Sequence, residues 1–157
     1  MRILVLAAIV LAMLAMPQPA RADATFFVGT TTTPANRPVL GAAAGVSLIV
    51  LGFEFEYAKT HEDTSVAAPA LTTWMGNLFV QTPFSGIQLY ATTGVGAYRE
   101  RLSVAEETGL GVNAGGGIKV TLLSPIRVRL DYRVFTLRGS PLHAQVHRLY
   151  AGLNLAF

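Results

Sequence analysis

HRLYAGLNLAF, residues 147–157, alternates in character residue by residue and finishes on an aromatic ring. Leu149, Ala151, Leu153, Leu155 and Phe157 share one parity, and Arg148, Tyr150, Gly152 and Asn154 share the other. A repeat of two belongs to a strand, because successive side chains of a strand point to opposite faces. A strand ending on such a face, with no polar tail after it, is what a closed membrane barrel needs to seal its last strand against its first.

The opening residues predict export. Arg2 gives a positive start, Ile3 to Met16 form an apolar run, and Ala20-Arg21-Ala22 is an A-x-A pattern before Asp23. The run is shorter than the roughly 20 residues that cross a bilayer as a helix, and Pro17 and Pro19 close it. The expected organisation is a cleaved signal peptide over 1–22 and one domain over 23–157. The chain holds no cysteine, which excludes disulfides, thiolate metal sites and a lipid-anchored cysteine.

The formal charge of +3 falls to +1 once Arg2 and Arg21 leave with the leader, so the basic balance carries little meaning. The basic residues form no external run interleaved with aromatics, which excludes a nucleic-acid role. After residue 22 no apolar stretch is long enough for a spanning helix, yet 52% of the chain is hydrophobic. Alternation spreads those residues thinly, as a lipid-facing wall requires.

Period-two patterns between Gly, Pro, Asn, Asp and Ser interruptions predict eight strands. They cover about 24–31, 39–48, 51–60, 71–81, 87–98, 109–122, 126–137 and the final stretch from 147. A polar loop is expected over 61–69, a charged loop over 99–108 and a last loop over 138–144. Connections after the odd-numbered strands should be longer and more polar than those after the even ones. The fold class is all-β: an eight-stranded antiparallel up-and-down transmembrane β-barrel with both termini in the periplasm.

A soluble lipocalin-like barrel would use the same alternation inside out. The membrane orientation is favoured because Gly41, Gly45, Gly94, Gly96, Gly111, Gly115 and Gly117 share parity with the charged residues, relieving crowding inside a narrow barrel. The apolar faces carry Phe53, Tyr57, Trp74 and Phe157 as interfacial aromatics.

The chain resembles the outer-membrane β-barrel domain family, which includes opacity-type surface proteins and the transmembrane domain of outer-membrane protein A. Three features carry the resemblance: Tyr150-x-Gly152-x-x-Leu155-x-Phe157, the glycine-rich 113–117 (NAGGG), and Arg127-x-Arg129-x-Asp131-Tyr132-Arg133. It implies that Tyr150, Gly152, Leu155 and Phe157 form an assembly signal read by the barrel assembly machinery, with outer-membrane lipids and lipopolysaccharide as surroundings. It fixes location better than activity.

Parity sends Glu54, Glu56, Lys119, Arg127, Arg129, Asp131, Arg133 and Arg148 into the lumen. Eight strands leave an interior just wide enough for side chains to fill, so these charges should pair, Glu54 and Glu56 reaching toward the arginines of the seventh strand. The expected function is a structural or surface-associated barrel, monomeric, with a salt-bridged and largely closed lumen, no cofactor and no metal. A narrow gated pore with anion preference is the alternative. A lipid-modifying enzyme using Ser140, His143, His147 and Glu62, a metal site at His61, His143 and His147, and a loop-mediated adhesin are minor ones. The acidic pairs Glu62-Asp63 and Glu106-Glu107 are expected to keep the loops solvated.

Overall fold

The computed structural model describes residues 20–84 and 86–157. The leader expected over 1–22 lies outside them as far as residue 19. Eight strands follow in order: β1 (Arg21–Thr31), β2 (Arg37–Ser47), β3 (Leu51–Thr60), β4 (Ala70–Gln81), β5 (Ile87–Leu102), β6 (Ala105–Leu123), β7 (Ile126–Leu137) and β8 (Gln145–Ala156). Each pairs antiparallel with its sequence neighbour, and β1 pairs with β8, closing an up-and-down barrel. Around the body of the barrel closure gives every strand a partner on both sides, which removes the hydrogen-bonding groups that lipid could not satisfy.

The two faces of the wall are chemically opposite. In β7, Arg127, Arg129, Asp131, Arg133, Phe135 and Leu137 are buried, while Leu130 and Tyr132 are about half exposed. Phe26, Val28, Leu40, Phe55, Leu78, Val95, Leu110, Leu149 and Leu153 continue the exposed apolar belt around the barrel. A water-soluble barrel would place these residues inside and its ions outside. Here the apolar belt faces outward, which is stable only against lipid.

Glycine makes room for the interior. A Cβ at Gly117 would lie 2.6 Å from the Tyr90 hydroxyl, and one at Gly41 would lie 2.2 Å from the Phe27 ring. Both large side chains occupy the lumen because the facing strand carries no side chain there.

One end of the barrel departs from the pattern that alternation predicts. Residues 99–108, expected as a charged loop, instead extend β5 and β6 into one long hairpin whose register runs to Leu102↔Ala105, with only Ser103 and Val104 at the tip. The ladder continues past the lipid-facing belt because backbone pairing does not require apolar side chains. The expected alternation of long and short connections therefore fails there. It holds for 61–69 and 138–144 against 48–50 and 124–125, but 32–36 is no longer than 82–86. Strand β1 also begins at Arg21, earlier than expected, because Arg21 and Ala22 pair with Ser47 and Val46.

Candidate functional site

Among the described residues, five of the six buried cations sit on three adjacent strands: Lys119 on β6, Arg127, Arg129 and Arg133 on β7, and Arg148 on β8; the sixth, Arg37, is on β2. Register places like charges directly opposite one another, Lys119 against Arg129 and Arg133 against Arg148. Such pairs repel, and in a dry interior the repulsion is large. It is offset by carboxylates reaching from the other side of the barrel and from β7 itself.

Glu54 of β3 accepts two hydrogen bonds from Arg129, one of them from Nη2 at 3.1 Å, and a third from Arg133 Nη2 at 3.0 Å. Glu56 lies 3.0 Å from Arg133 Nη1 and accepts from Arg148 Nη1 at 3.0 Å. Asp131 accepts from Arg129 Nη2 at 3.1 Å and from Arg133 Nε at 2.9 Å. One connected cluster therefore joins β3, β7 and β8. Glu54, Glu56, Arg133 and Arg148 are at most 1% exposed. Burying ions is costly unless geometry and hydrogen bonds are both satisfied, and the planar arginine fork supplies both.

Asp23 of β1 forms a second, separate cluster, with its carboxylate 3.1 Å from Lys119 Nζ and 3.7 Å from Arg127. Arg127 also donates to Gln88 Oε1 at 2.8 Å. Tyrosines join the cations: the Tyr90 hydroxyl donates to Asp131 and accepts from Arg129 Nε at 2.7 Å, and the guanidinium lies 4.8 Å from the Tyr90 ring centre. Tyr150 stacks on Phe27 with centroids 4.0 Å apart, and its hydroxyl donates to Glu56 at 3.3 Å and accepts from Arg133 at 3.2 Å. Asp23, Gln88 and Tyr90 were not singled out from the sequence. Gln88 and Tyr90 share the parity of Gly94 and Gly96, which is the signal that could have found them.

Toward the long hairpin, the charged cluster gives way to an apolar plug of Leu71, Met75, Tyr98, Phe135, Leu137 and Val146. At the mouth beyond it, Arg37 donates to three backbone carbonyls: those of Pro69, Thr33 at 2.8 Å and His61 at 3.4 Å. The acidic loop residues staple rather than merely solvate. Glu62 accepts from the Ser103 amide at 2.6 Å, Glu107 from the Ser140 amide at 3.2 Å, and Asp63 from the Ser65 amide at 3.0 Å. Glu106 pairs with Arg99 at 3.3 Å.

The other residues singled out from the sequence are dispersed. Tyr57 and Trp74 stand side by side on the outer wall with centroids 5.8 Å apart, and Phe53 is half exposed four residues away along β3. Leu155 and Phe157 face outward, the latter 75% exposed, whereas Tyr150 lies in the lumen and Gly152 opposes Phe27 across the β1–β8 seam. His147 faces outward and shares a 2.7 Å hydrogen bond with Tyr132. Among the described residues, no hydrogen bond joins Ser140, His143, His147 and Glu62 to one another, and no cluster of three His, Asp or Glu is placed to hold a metal ion.

No protein-family model matches the chain, and no curated protein matches it in sequence. Solved structures do match in fold. The chain is similar to Neisserial surface protein A, with 15% identity and a TM-score of 0.67 over 88% of this chain and 96% of that one. It is similar to the N-terminal β-barrel domain of Pseudomonas aeruginosa OprF, with 15% identity and a TM-score of 0.66 over 87% and 97%. The outer membrane enzyme PagL also matches, with 11% identity and a TM-score of 0.54 over 85% and 98%. A surface protein, a domain of a larger protein and an enzyme thus share one architecture, so the architecture does not carry an activity. With its apolar exterior, closed eight-strand ladder and ionic lumen, the chain has the fold of the eight-stranded transmembrane barrels of the outer membrane.

Proposed function

We propose that the protein is an integral outer-membrane barrel with a structural or surface-associated role, its lumen shut to ions and its termini on the periplasmic side. The observation that carries this reading is the shielded layer across the lumen. Leu71 and Met75 of β4, Tyr98 of β5, Arg133 of β7 and Arg148 of β8 are each at most 1% exposed. A conducting path needs water or free charged groups along its length, and here Arg133 and Arg148 are both committed to Glu56. That speaks against the anion-preferring pore. The dispersed Ser140, His143, His147 and Glu62 likewise speak against ester hydrolysis, which needs nucleophile and base within hydrogen-bond reach.

The expected outcome in planar bilayers is silence: the refolded protein, shown to be folded by a mobility change on boiling, produces no current steps. Sustained steps whose ion preference reverses in an Arg148→Glu variant would establish a pore instead. The leader proposal has its own check, since N-terminal sequencing of the membrane-extracted protein should begin at Asp23. Retention of residues 1–22 would refute it.

A further inference from the structure

On the outer wall, basic residues of β3 and β5 flank β4 directly above an aromatic pair of β3 and β4. Register sets Lys59 of β3 opposite Thr72 of β4, and Thr72 opposite Arg99 of β5. One step closer to the barrel's middle, Tyr57 stands opposite Trp74. One step farther out, Arg101 faces Glu106 across the long hairpin. These side chains line a shallow cleft of about 250 Å³ on the outside of the barrel. Lys59 and Arg101 are exposed and have no ion-pair partner among the described residues. Arg99 is fixed between the Trp74 ring, 6.0 Å from its guanidinium carbon, and Glu106 at 3.3 Å.

We propose that this cleft binds the phosphate groups of an anionic glycolipid headgroup in the outer leaflet. The inference rests on the reading of the protein as an integral outer-membrane barrel. Height decides the class of ligand. Aromatic belts of membrane proteins sit at headgroup level, so a cleft resting on Tyr57 and Trp74 and facing sideways meets lipid, not a macromolecule approaching from the loops. Charge decides the headgroup: three cations face one carboxylate, leaving positive charge that neither protein nor apolar chain neutralises. Two arginines supply the planar forks that match phosphate oxygens, the Lys59 ammonium adds a point charge, and the Thr72 hydroxyl adds a neutral donor. Below the aromatic row, Phe55, Val95 and Leu78 provide an apolar wall for acyl chains.

The test is lipid retention by the full protein in mild detergent, followed by native mass spectrometry with lipopolysaccharide as the probe. The variant Lys59→Gln/Arg99→Gln/Arg101→Gln should bind roughly a hundredfold more weakly, since each basic side chain near an anionic surface contributes about fivefold. Dephosphorylated lipopolysaccharide should bind the wild type as weakly as intact lipopolysaccharide binds the variant, and inorganic phosphate should not displace the bound lipid. Glu106→Gln removes the competing carboxylate and should tighten retention, which keeps the idea testable if the triple variant fails to fold. Equal retention by wild type and a folded triple variant overturns the site, as does no response to dephosphorylation or full displacement by inorganic phosphate. A wild-type protein that is soluble and shows no mobility change on boiling instead overturns the membrane reading on which the site depends.

Discussion

Glu54 is the residue whose loss the barrel should tolerate least. It joins Arg129 to Arg133 in a site that is 1% exposed, so Glu54→Gln keeps the volume but leaves two arginines sharing Asp131 and Glu56. Breaking a buried ion pair from one side typically costs about 3–5 kcal/mol, far above the value of an exposed pair such as Arg99–Glu106. Equilibrium urea unfolding from lipid vesicles should show a loss of that order for Glu54→Gln. A loss below about 1 kcal/mol would mean that water enters the cluster and screens it. Residue parity was enough to send Glu54 inward, because alternation states which face a side chain takes. It could not say that Glu54 serves Arg129 and Arg133 while Glu56 serves Arg133 and Arg148, since partnership depends on relative height across the lumen. Asp23 was harder still: it follows directly on an apparent cleavage pattern, and only closure of β1 against β8 carries it beneath Lys119.

At the scale of elements, β3 and β7 were legible to the residue, because polar and apolar residues alternate through most of each, failing only near the ends at Ala58-Lys59 and Phe135-Thr136-Leu137. The hairpin of β5 and β6 was not, because Arg99, Glu100, Arg101, Glu106 and Glu107 look like loop to any reading that equates a strand with its lipid-facing length. The closing strand makes a separate point. The β1–β8 seam ends in a pair of 2.9 Å hydrogen bonds between Ala22 and Phe157, while the Phe157 ring stays exposed. If the leader is cut after Ala22, those two bonds go with it, and the ring, 75% exposed, covers little of the barrel wall. We therefore propose that Phe157 acts during insertion. Deleting it should lower the amount of protein in the outer membrane several-fold while leaving detergent refolding in vitro unchanged. Equal membrane levels for both forms would sink the proposal, and loss of refolding would assign Phe157 to stability instead.

For the whole molecule, architecture was readable because an apolar belt outside and ions inside leave one solution, a closed wall in lipid. Activity was not, because the same closed wall is shared by a surface protein and an enzyme, and pairing among the lumen ions names no substrate. The lumen has one more consequence, for the route by which the chain folds. Apart from the Asp131 pairs within β7, its ion pairs join residues far apart in sequence, with Lys119 and Asp23 96 positions apart, Arg148 and Glu56 92, and Arg129 and Glu54 75. A half-formed sheet of β5 to β8 would hold its cations side by side with few carboxylates to meet them. Partial structures are thus penalised until β1 and β3 arrive, and loop-closure entropy must be overcome before those contacts give anything back. The transition state is pushed toward the closed ring, which makes for slow, all-or-none folding in both directions and a native state that is long-lived once reached.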